Sequence, residues 1–123
     1  MSNLAKNDLR YATYPFIIDD VSTAGQVYIP VNSGMEGTIV EVRTVLNGAI
    51  GTADADITPK INGTAVTGGL ITIATASSAA GDQDSSSPTA LNTVVAGDVI
   101  EIETDGASTN TVRVFGNILI RRG

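Results

Sequence analysis

The chain has 123 residues, no cysteine, no histidine and a net charge of −6. That length fits one domain with a core of its own. The missing residue types exclude disulfides, thiolate nucleophiles and Cys-based zinc sites, and remove the commonest general base and transition-metal ligand. Seven basic residues scattered among thirteen acidic ones form no phosphate-binding patch, so no nucleic-acid partner is expected. No run approaches the roughly 20 apolar residues of a membrane helix, so no membrane partner is expected either. Residues 1–8 lack the apolar centre of a signal peptide. Aromatics are only 4% of the chain, which leaves valine and isoleucine to build the core.

Residues 1–12 show no periodicity and read as an extended N-terminal arm, followed by a single β-sandwich domain over 13–123. Residues 13–19 are the first strand; Pro15 places it at a sheet edge, because proline cannot donate to a ladder. Val27, Ile29 and Val31 share one face of a second strand, and Pro30 again marks an edge. Residues 35–46 form the longest strand. There Val40, Val42 and Leu46 alternate with Glu41 and Arg43, which puts Ile39 and Val45 on the outer side. Asn47-Gly48 is the strongest short turn signal.

Ala55, Ile57 and Ile61 point inward from the next strand, which Asn62-Gly63 turns back on itself. Residues 70–74 are a further strand. The serine-rich stretch 77–89 reads as a long surface loop. A short strand over 91–95 leads to a turn at Ala96-Gly97-Asp98. Ile100 and Ile102 then alternate with Glu101 and Glu103, and after the loop opened by Asp105-Gly106 a second apolar stripe follows: Val112, Val114, Ile118 and Ile120. The two stripes read as a closing β-hairpin that needs an opposing sheet to bury its face. About eight or nine short strands and no helix give an all-β fold, a jelly-roll-like antiparallel β-sandwich.

Two D-x-D pairs, Asp54/Asp56 and Asp82/Asp84, carry the right ligand type for a hard cation. The second opens like a calcium loop, but Ser87 and Thr93 stand where such a loop needs Gly and Glu. Asp54 and Asp56 alternate outward and fit a solubilised edge. Glu101 and Glu103 lie on one side of a strand, as a glycosidase pair would. Alternating Glu is also ordinary solvent-face patterning, and no aromatic platform for a sugar accompanies it. No catalytic, cofactor or metal residue is assigned, and the chain is expected not to be an enzyme.

The outer positions of the last strand include Phe115 and Leu119 beside Arg113 and Asn117. Together with Ile39 and Val45 they make central strands apolar on both faces, the pattern of a sheet buried against another subunit.

The closing segment Thr93-Val94-Val95-Ala96-Gly97-Asp98-Val99-Ile100-Glu101-Ile102, the strand 111–120 and the polar arm before Tyr14 resemble the capsid decoration (cement) proteins of tailed bacteriophages. The resemblance implies a homotrimer of jelly-roll subunits, made in the host cytoplasm and seated on the capsid surface of the virion, where major capsid proteins meet. It implies a structural role without cofactors. The arm would then grip the capsid, with Leu4, Leu9, Tyr11, Tyr14 and Phe16 as docking residues. The alternative is a head- or tail-fibre recognition module that binds a host-surface glycan through loops such as 77–89.

Overall fold

Period-2 alternation of Val and Ile with polar residues dictates strands with one buried face, and the computed structural model, which describes residues 10–122, contains ten of them and no helix among those residues. They are β1 (Tyr11–Ile18), β2 (Gly25–Pro30), β3 (Gly37–Leu46), β4 (Ala55–Ile61), β5 (Thr64–Ala65), β6 (Ile71–Ile73), β7 (Gln83–Ser86), β8 (Thr93–Val94), β9 (Val99–Thr104) and β10 (Val114–Arg121). The first sheet runs β1-β10-β3-β7, with β8 also paired to β3; the second runs β2-β9-β4-β5, with β6 also paired to β4. Every pairing between these strands is antiparallel. The first strand pairs with the last and the second with the ninth, so the chain is doubled on itself and rolled: a jelly-roll sandwich. As Pro15 and Pro30 require, β1 and β2 are both edge strands.

The closing hairpin does not form. β9 and β10 lie in opposite sheets, and their stripes meet across the core, where Ile100, Ile102, Ile118 and Ile120 are fully buried. Residues between them cross from one sheet to the other, tied down by the Gly51–Thr109 bridge and by the Val21 N–H, which donates to the Val112 carbonyl at 2.9 Å. Alternation tells which face of a strand is buried and says nothing about its hydrogen-bonded neighbour.

In β3 the pairing register against β10 shifts between Leu119 and Ile120: Leu119 faces Glu41, while Ile120 faces Ile39. Val40 is therefore the extra residue of a β-bulge, and the alternation inverts across it. Ile39 belongs to the core with Val42 and Leu46, which corrects its expected place on the outer side. Val40 is only half-buried.

The inward stripe of β10 is interrupted at Gly116, whose register partner on β1 is Phe16. The Phe16 ring lies over this glycine so closely that a Cβ at 116 would run into it. An aromatic side chain thus fills the gap left by a missing one. Tyr14, Phe16 and Ile18 are all buried on this face.

The two Asn-Gly dipeptides part company. Asn62 and Gly63 have φ of 49° and 86° and form the two-residue turn that pairs Ile61 with Thr64, the type I′ geometry that Asn-Gly favours. Neither Asn47 nor Gly48 has positive φ. That dipeptide carries the chain from β3 in one sheet to β4 in the other instead of closing a hairpin. The serine-rich stretch 77–89 is not all loop either, since β7 within it pairs with residues Val42 to Val45 of β3.

Candidate interaction face

Three cross-strand rows define the outer face of the first sheet. Ile17, Phe115 and Val45 stand directly opposite one another on β1, β10 and β3. The next row is Pro15, Asn117 and Arg43, and the one after it Thr13, Leu119 and Glu41. Ile17 is 52% and Phe115 41% exposed, and Val45 and Leu119 are half-buried. No strand of the second sheet covers this side. Arg43 donates to Glu41 at 2.9 Å and to Gln83 at 3.2 Å, while Arg113 makes a longer pair with Asp19, at 3.6 Å. A continuous apolar row flanked by charges is the composition of an association surface.

Of the residues read from the sequence as subunit contacts, Phe115, Leu119 and Val45 share this face and Ile39 does not. Ile17 shares the face and was missed; the alternation of β1 about Tyr14, Phe16 and Ile18 was the signal that pointed to it. Of the expected docking residues, Leu4 and Leu9 lie outside the described residues. Tyr14 and Phe16 are core side chains, a correction that follows from their place on the inward side of β1, where Phe16 also fills the Gly116 gap. Tyr11 is 48% exposed, on the outer face opposite Arg121.

The outer face of the second sheet is built differently. Tyr28, Glu101 and Lys60 form one row, and Gln26, Glu103 and Thr58 the next. The Lys60 ammonium lies 3.0 Å from one Glu103 oxygen, and Gln26 donates to the other at 3.3 Å. The hydrogen bonds from Lys60 and then Gln26 hold the Glu103 carboxyl below its ordinary pKa. It is a tethered anion, the opposite of the raised-pKa acid that glycoside hydrolysis needs.

Three of the four paired aspartates are engaged by neighbouring segments of the chain. Asp54 accepts from the Thr75 N–H at 2.9 Å, Asp56 from the Thr72 hydroxyl at 2.8 Å, and Asp82 from the Ala79 N–H at 2.9 Å. Partial burial, and then the nearby Asp82 charge, push the Asp84 carboxyl above its ordinary pKa. Among the described residues no three or more His, Cys, Asp or Glu side chains are grouped to hold a metal ion, and no helix is long and apolar enough to cross a membrane.

A groove of about 290 Å³ opens where the edges of the two sheets meet. Ile17, Ile18, Val27 and Ile102 wall it, and Asp19 and Asp20 lie along it. Asp20 is occupied: it accepts from the Thr23 hydroxyl at 2.7 Å and the Ser22 N–H at 3.0 Å, and these bonds keep its pKa low. The Asp19 side chain is 88% exposed.

With this geometry in place, one comparison bears on the molecule. The chain resembles a chain in the acidic stable capsid structure of the Helicobacter pylori bacteriophage KHP30, with a TM-score of 0.57 and 14% identity over 90% of this chain and 86% of that one. The likeness is one of fold. No protein-family model matches the chain, and no curated protein matches it in sequence.

Proposed function

We propose that the protein is a structural component of a bacteriophage capsid, without catalytic activity. In this reading it is a decoration protein that forms a homotrimer on the capsid surface and stabilises the lattice by binding the major capsid protein. The observation that carries the reading is the row of Ile17, Phe115 and Val45, three apolar side chains opposite one another on the outer face of the first sheet; the other exposed large aliphatic residues, Leu70, Leu91 and Val95, lie outside that row. A sheet face of this kind gains free energy when it is removed from water, and the capsid chain of similar fold supplies the context. Phe115, Val45, Leu119 and Ile17 are assigned to subunit contact. The segment ahead of β1, with Leu4 and Leu9, is assigned to the capsid. The glycan-binding alternative would rest on the parts of the 77–89 stretch on either side of β7, which ties residues Gln83 to Ser86 to β3.

Light scattering on a sizing column, followed by co-sedimentation with capsids stripped of decoration, tests the reading. A trimer that binds such capsids to saturation is expected, with binding lost and the trimer kept when residues 2–9 are removed. A monomer that neither self-associates nor sediments with capsids overturns it.

A further inference from the structure

A trimer cannot be built from a patch that meets its own copy, because such contacts are two-fold; each subunit must present two different surfaces that fit one another. The outer face of β1 carries both. At its first residue Tyr11 stands exposed opposite Arg121 of β10, an aromatic and a cationic residue in register on the same face. Among the described residues Arg121 makes no ion pair. At its other end lies the groove, with apolar walls and a largely exposed carboxylate, Asp19, beside it. Seven residue steps separate Tyr11 from Ile18, about 23 Å at the usual strand rise.

We infer that the Tyr11–Arg121 corner of one copy seats in the Asp19-edged groove of the next. This rests on the self-association proposed above and names its two halves. The groove is large enough for one aromatic side chain, and its isoleucine and valine walls suit a ring. The guanidinium of Arg121 meets a carboxylate whose ion-pair partner among the described residues is Arg113, at 3.6 Å with both side chains at least half exposed, a pair too loose to saturate it. Charge complementarity also resolves a difficulty of this acidic chain. At a net charge of −6, copies repel unless a cationic corner faces an anionic one. Ile17 makes the contact continuous with the apolar row, since it belongs both to that row and to the groove wall.

Charge exchange tests the contact on the full chain. Asp19→Arg and Arg121→Glu should each weaken self-association about tenfold or more, and the double variant, carrying both reversals, should recover most of the loss. Ala24→Trp, at an exposed position in the groove, should block the seat and also weaken association. Melting temperature and circular dichroism check that each variant is folded. Folded single variants that trimerise like the wild type, or a folded double variant no better than either single, overturn this contact. If the wild-type trimer persists in that case but Phe115→Asp breaks it, the association face stands without this pairing. A wild-type chain monomeric at every concentration overturns both.

Discussion

The two sheets are alike inside and unlike outside. Both present Ile and Val to a common core, and most inward positions of their central strands are buried. Outside, the second sheet satisfies itself: Lys60 and Gln26 both bond Glu103, linking three strands, and its exposed Tyr28 is flanked by Glu101. The first sheet instead exposes Ile17 and Phe115 in one row. Both faces are antiparallel and equally able to face water. What differs is the side chain at every second position. The lesson is that solvation of a sheet is decided residue by residue on one face, independently of the backbone that carries it.

The largest expected effect breaks the inner half of that comparison. Ile39→Ala, on the buried side of the β3 bulge, should cost about 2–5 kcal/mol of folding stability in denaturant titration, because it leaves a cavity. Val45→Ala, on the same strand but outside, should stay within roughly 1 kcal/mol. Similar losses at both positions would mean that the bulge does not invert the alternation. The outer half is sharpened by Phe115→Asp, expected to weaken self-association about 30-fold or more, as truncation of a central aromatic contact does. Tyr28→Asp on the second sheet should leave it unchanged, although Tyr28 is the more exposed of the two at 62%. Equal losses would erase the distinction between the faces.

The smallest effect is electrostatic. Hydrogen bonds hold Asp20, Asp98 and Glu103 below their ordinary pKa in the folded state. The stability they contribute is present above the normal carboxylate range, about pH 4, and is lost as pH falls through their lowered values. Asp84 has the opposite sign. Its raised pKa means that the fold favours its protonated form, a contribution present below the unfolded value and lost as pH rises through the folded one. In thermal melts between about pH 3 and 7, Glu103→Gln should lower the melting point at the neutral end and flatten the acid slope. Asp84→Asn should raise it slightly at the neutral end. A fall in both variants would contradict the assignment for Asp84.

Much of this molecule was legible in the chain. Val112, Val114, Ile118 and Ile120 read as one buried stripe and are one. Pro15 and Pro30 mark edges because a missing N–H cannot be supplied by any packing. Asn62-Gly63 turns as local φ preferences require. Part of the outer face of the first sheet was legible too: Phe115 and Leu119 stand out because they occupy the side opposite that stripe. The errors share a cause. The stripes of β9 and β10 were matched to each other as neighbours, whereas they face one another from opposite sheets. Asn47-Gly48 read as the strongest short turn signal, yet it joins strands that belong to different layers without positive φ at either residue. Ile39 was assigned by unbroken alternation, and a bulge visible only in the register with β10 reversed it.

By itself, then, the sequence determined the strand content, the buried stripes, the edges and one tight turn, since each depends on residues within a few positions of one another. The partner of each strand, the bulge at Val40 and the burial of Phe16 over Gly116 were decided by tertiary structure. They depend on contacts between residues such as Phe16 and Gly116, or Ile39 and Ile120, which lie far apart along the chain, and no local preference encodes which distant strand will fill a given gap.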